Sequence, residues 1–261
     1  MNLLFFGNSN RQLFGAYHPP SSSAAARGAA LLCPPWGPEY FSCHRILRGL
    51  AARLSDAGFH VLRFDYYGTG DSAGEREDGT LDTWCEDAAL AMEELRDMSG
   101  CTRMTVVGVR LGAVVGWRLA RAYEGVDQLV MWDPVADGST YVRELLETQQ
   151  KVDRWSLSKA PPRPSEERVL DLLGYPLTAS MRSSIEAVTN EEFRRPSKAA
   201  VMLFQSSSSP DAAALARAFE AGGTRLHVES VPDQTVWLES DGLGVGALPH
   251  ATLVRMVELI P

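Results

Sequence analysis

The sequence predicts an α/β fold with a mostly parallel sheet, and three observations carry that prediction. Short apolar runs alternate with helix-patterned stretches, turn residues separate them, and no self-similarity appears at the period of about 20 to 50 residues that marks repeat architectures. A strand, a helix and a second parallel strand in succession make a right-handed crossover, so the alternation implies helices on both faces of the sheet.

The opening residues read as two short strands, "LLFFG" and "QLFGAYH", joined at "NSN" into an antiparallel edge and followed by the loop "PPSSSAAARG". Next come the strand "AALLCPP", the helix "CHRILRGLAARLSDAG", the strand "HVLRFDY" and the helix "LDTWCEDAALAMEELRDMSG". "MTVVGV", "LGAVVGWRLARAYEG" and "QLVMWDP" continue the series as strand, helix and strand. From Gly138 to Pro196 the pattern changes to charged, Pro-interrupted helical pieces such as "YVRELLETQQKVDRW" and "SEERVLDLLG", with no strand expected among them. That stretch reads as a helical cap inserted over the C-terminal edge of the sheet. It divides the chain into a first core segment, 1–137, the cap, 138–196, and a second core segment, 197–261. The second segment reads as the strand "AAVMLFQSS", the helix "DAAALARAFEAGG", the strand "RLHVESV" and the helix "HATLVRMVELI".

A chain of 261 residues with 45% hydrophobic content can bury a core of its own without disulfide staples. A formal net charge of −8 argues against a nucleic-acid partner. No apolar run approaches the roughly 18 residues of a membrane span, and "MNLLFF" lacks the basic start and cleavage site of a signal peptide, so a cytoplasmic location is expected. Cys33, Cys43, Cys85 and Cys101 form no C-x-x-C pair, and neither a metal nor another cofactor is expected. A homodimer is left open.

Four stretches in chain order carry a resemblance: "CPPWGPEY" after a strand, "LRFDYYGTGDSAG", "TVVGVRLGA" between a strand and a helix, and "LFQSSSSPD" before a late helix. Together they resemble the α/β-hydrolase superfamily, and within it the serine aminopeptidase-like branch. "PPWGPEYFSCHR" with the G-x-R-L-G-A turn is similar to a bacterial subgroup that includes exosortase-associated hydrolases. The resemblance covers most of the chain and implies an α/β-hydrolase fold of about eight strands with the cap inserted. It also implies a nucleophile elbow, in which glycines two residues to either side let strand and helix pack closely. Gly108 and Gly112 match, and Arg110 stands in the nucleophile's place. A guanidinium that stays protonated cannot attack an acyl carbon. The implied oxyanion amides are that of Leu111 and one from the loop near Trp36. The acid position matches Asp211, with Asp133 in "WDPVADG" as the alternative. The histidine position falls near Thr235 to Trp237, and the first histidine beyond it is His250, either a catalytic base or a helix-start residue.

A cation at a helix N-terminus opposes the macrodipole by roughly 0.3–1 kcal/mol, and a non-glycine residue at a strained turn costs on the order of 1–3 kcal/mol. An acidic partner for Arg110 among Glu39, Asp133 and Asp211 could offset both, as could a bound carboxylate or phosphate; simple drift is the third account. Glu39, Tyr40 and His44 match the subgroup's E-Y-x-x-x-H-R run and are expected to border the pocket, Glu39 as a general base or as a structural ion-pair partner. Cys33 reads as a low-pKa thiolate or as a buried small side chain. Asp65, Asp71 and Ser72 read as loop-fixing residues, and His60 and His227 as core or edge residues of strands. Two classes of function follow. The first is an enzyme of changed mechanism acting on an acyl- or carboxylate-bearing small molecule, by ester, thioester or amide hydrolysis or by acyl transfer, with Arg110 holding the anion and Glu39 or Asp211 moving protons. The second is a catalytically inactive pseudo-hydrolase that serves as a metabolite-binding or protein-interaction module.

Overall fold

The computed structural model describes residues 1–21, 26–155, 169–206, 212–231, 237 and 248–261. The chain opens with β1 (Asn2–Asn8) antiparallel to β2 (Arg11–His18), and continues through β3 (Gly28–Cys33), β4 (Phe59–Phe64), β5 (Met104–Val109) and β6 (Gln128–Trp132). Between them run α1 (Pro38–Asp56), α2 (Leu81–Ser99) and α3 (Leu111–Ala122). After β6 come α4 (Gly138–Trp155), the strands β7 (Val169–Leu172) and β8 (Tyr175–Thr178), α5 (Ala179–Glu186) and a 3-10 turn at Asn190–Arg194. The chain returns to the sheet with β9 (Ala200–Ser206), α6 (Ala212–Ala221), β10 (Leu226–Val231) and α7 (His250–Leu259).

Eight strands form one sheet in the order β1-β2-β4-β3-β5-β6-β9-β10, parallel from β4 to β10. β2 joins this body by pairing antiparallel with β4. Alternate residues of one strand serve opposite faces. Leu31, Leu62, Val106, Leu129 and Leu203 pack toward Trp84 of α2 and Trp117 of α3, whereas Leu32, Val61, Val107, Val130 and Phe204 pack toward Leu54 of α1 and Met256 of α7. This is the α/β-hydrolase fold.

Two sequence expectations need correction. α1 begins at Pro38 rather than near Cys43, because proline is pre-organised for a first helical turn and gives up an amide that has no helical partner there. Glu39 therefore sits in the first turn of a helix, where the dipole favours a carboxylate. The stretch between β6 and β9 also contains a hairpin, β7 against β8, where "SEERVLDLLG" reads as helix; residues 165–168 of that run lie outside the described residues. Leu173 and Gly174 join the two strands with φ of 53° and 89°, the two successive positive values that close a tight hairpin.

Candidate functional site

β5 ends at Val109 and α3 begins at Leu111, so Arg110 alone turns the chain. Its φ of 54° and ψ of −120° lie where side-chain-bearing residues are strained by about 1–3 kcal/mol. The flanking glycines explain why the turn is so sharp. A Cβ on Gly108 would stand 2.4 Å from Ala113 Cα, and one on Gly112 would stand 2.3 Å from the carbonyl oxygens of Cys33 and Pro34. α3 is thus wedged against both β5 and the loop after β3, as a nucleophile elbow requires.

The Arg110 side chain is mostly enclosed and Glu39 is fully buried. Arg110 Nε donates to Glu39 Oε1 at 2.8 Å, and Nη1 donates to the carbonyl oxygen of Asp133 at 2.9 Å. The second Glu39 oxygen accepts from Tyr141 Oη of α4 at 2.8 Å, and the guanidinium carbon lies 5.5 Å from the centre of the Tyr141 ring. Burial alone would lower the pKa of Arg110, but Glu39, Tyr141 and Asp133 outweigh it and hold the guanidinium well above its ordinary value. Burial and the Glu39 carboxylate push the Tyr141 phenol well up as well, so it remains a donor.

Asp133 follows β6 and is also buried, with φ 42°. Its Oδ1 accepts from the Ser206 amide at 2.8 Å; its Oδ2 accepts from Ser206 Oγ at 2.5 Å and from Trp237 Nε1 at 2.9 Å. The Trp237 indole also packs edge-on against Trp132, ring centres 4.9 Å apart. The region where a histidine is expected therefore presents an indole to the carboxylate.

Residues 42–197 match the family described as serine aminopeptidase, S33. The chain belongs to this family. Human Protein ABHD12B is 39% identical to it over 85 residues, 31% of this chain and 23% of that protein. Among solved structures, this S33 family member resembles Est1E from Butyrivibrio proteoclasticus bound to ferulic acid (TM-score 0.68, 17% identity, 98% of this chain and 99% of that one). It also resembles a thermostable carboxyl esterase from Bacillus coagulans (TM-score 0.67, 13% identity, 99% and 97%) and the proline iminopeptidase of Mycobacterium smegmatis (TM-score 0.65, 12% identity, 98% and 97%).

Elsewhere in the S33 chain, the remaining candidates separate. Trp36 is buried in the same apolar cluster as Leu111, whose amide opens α3 and has no helical acceptor by position. Tyr40 and His44 do not reach Arg110. Tyr40 Oη donates to Asp65 Oδ1, and Tyr40, His44 and Asp65 line a cleft whose lining includes neither Arg110 nor Glu39. Consecutive residues of a helix point about 100° apart, so α1 sends Glu39 to Arg110 and Tyr40 to Asp65, which corrects the expectation of one shared pocket wall. His250 is corrected as a base: it opens α7 and its Nδ1 meets Arg53 Nη2 at 2.9 Å, fourteen residues and so roughly 21 Å along α1 from Glu39. Asp211 and Thr235 lie outside the described residues. Cys33 is fully buried among apolar side chains, and burial pushes its thiol up to about 12, which favours the reading as a buried small side chain over the thiolate. Ser72 Oγ donates to the Asp65 carbonyl at 2.6 Å and accepts from the Phe14 amide, while Asp65 Oδ2 accepts from the Asp71 amide at 3.1 Å, so this trio fixes a loop. His60 meets Tyr17 Oη, and His227 is exposed beside Glu229. Tyr141 joins the site with no motif to announce it, and Ser206 joins it from within "LFQSSSSPD", a run that singles out no one of its serines. Among the described residues no cluster of His, Cys, Asp and Glu could hold a metal ion, and no helix is long and apolar enough to cross a membrane.

Proposed function

We propose that this S33 family member is a binding protein that holds an acyl- or carboxylate-bearing small molecule without cleaving it. The observation that carries the reading is the 2.9 Å hydrogen bond from Trp237 Nε1 to Asp133 Oδ2. An indole N–H donates and has no lone pair with which to take a proton, so the carboxylate that could serve as the acid of a triad is coupled to a group unable to act as base. The elbow supports the same reading, because a guanidinium engaged by Glu39 and the Asp133 carbonyl is no nucleophile. Glu39 is no substitute base. Both of its oxygens already accept hydrogen bonds, one from the Arg110 guanidinium and one from Tyr141, and the side chain is fully buried. Ferulic acid, carried by Est1E on the same fold, belongs to the proposed ligand class, which is support by analogy of fold alone.

A fluorophosphonate, which phosphonylates activated serines, tests the reading. We expect intact-mass spectrometry to show unmodified protein, and p-nitrophenyl esters to hydrolyse no faster than in buffer. A stoichiometric adduct, or ester hydrolysis proportional to protein concentration, overturns it.

A further inference from the structure

A cleft of about 1110 Å³ lies between α1 and the N-terminal edge of the sheet, with neither Arg110 nor Glu39 in its lining. Its floor is a row of paired residues, Leu32, Arg63, Ala16 and Leu3, running across β3, β4, β2 and β1. Its wall is the α1 face that carries Phe41, His44, Arg45 and Arg48. Arg63 is out of place by pattern: it occupies the face of β4 that Phe59 and Val61 fill with apolar side chains. None of the ion pairs among the described residues involves Arg45, Arg48 or Arg63. Arg63 Nε instead approaches His18 Nε2 at 3.4 Å. That histidine is pushed down to about 4, first by burial and then by the positive charges of Arg63, the N-terminus and Arg48. The carboxylate of Asp65 is already satisfied by Tyr40 and the Asp71 amide; Asp71 lines the same cleft. Beside the arginines stand large apolar groups left in water, with Phe41 73% and Leu3 62% exposed.

Guanidinium groups that make no ion pair among the described residues, next to uncovered apolar surface, call for a ligand that supplies both complements. We propose that this cleft binds a free amphiphile with one anionic head, a carboxylate or a phosphate, on an apolar chain, with Arg48 and Arg63 taking the head and Leu3, Phe14, Ala16 and Phe41 the chain. The assignment deepens the reading above, since it gives the anionic ligand a site other than the internally neutralised Arg110.

Isothermal titration of the full chain with decanoate and with decyl phosphate, below their micelle concentrations, tests it. One saturable site is expected, with decanol, acetate and inorganic phosphate each binding at least about tenfold more weakly, because each lacks one of the two complements. Arg48→Gln, an exposed helix substitution that leaves the core untouched, should weaken decanoate binding by about tenfold or more, as should Arg63→Gln where circular dichroism shows it folded. Absence of saturable binding to the wild type, affinity unchanged in Arg48→Gln, or binding confined to phosphatidylglycerol vesicles overturns the assignment. Fluorophosphonate labelling would instead overturn the non-hydrolytic reading and leave the cleft result standing, so the two failures are distinguishable.

Discussion

Arg110 shows how a strained residue is kept in place by its neighbours. Its unfavourable backbone conformation and its charge at a helix start are offset by one fully buried carboxylate, so the pair stands or falls together. Arg110→Ala leaves Glu39 buried without its cation, and we expect it to lower the unfolding free energy in urea by about 3–5 kcal/mol. Adding Glu39→Gln, which removes the orphaned charge, should recover most of that loss; a double variant as unstable as the single one would show that the ion pair is not what fixes the elbow. The Glu39–Arg110 contact is legible in the sequence as one of three acidic pairings, because loops after neighbouring parallel strands converge at one end of a sheet. The contacts made by Tyr141 and Ser206 are not legible. Each meets its partner across 102 and 73 residues of chain, and neither residue type nor spacing marks such a contact.

The elbow as an element depends on atoms that are missing. Gly112 lets α3 approach two backbone carbonyls that cannot swing aside, so Gly112→Ala should cost about 3 kcal/mol, the upper end for overpacking. Equal urea midpoints for wild type and variant would mean that the helix can retreat without loss. Glycine spacing alone makes this element readable in the sequence. The hairpin β7–β8 is harder, since four-residue strands carry too little periodicity to separate them from a helical turn, and the deciding turn includes Leu173, a residue that rarely adopts positive φ. The start of α1 is misread for a related reason: prolines and a glycine look like loop until Pro38 is recognised as a first-turn residue.

At the scale of the molecule, alternation announces a parallel sheet but not the strand order, which places the N-terminal hairpin beside β4 and leaves one face of that edge uncovered. The same edge makes stability depend on pH. His18 is held near 4 against an ordinary 6.5, so between those values the unfolded chain binds more protons than the folded one, and stability present above pH 6.5 is lost as pH falls through the window. We expect the urea midpoint to drop between pH 6.5 and 4, and to drop less in His18→Gln; parallel curves would remove His18 as the cause. Farther along the sheet, at β6, Trp237 lies across Trp132 at 77° with ring centres 4.9 Å apart. Two indoles so close and so nearly perpendicular couple their electronic transitions, and a paired circular-dichroism band of opposite signs is the optical result. The protein thus carries an intrinsic signal, absent in Trp237→Phe, that reports whether the Trp237 indole is seated against Trp132 and Asp133.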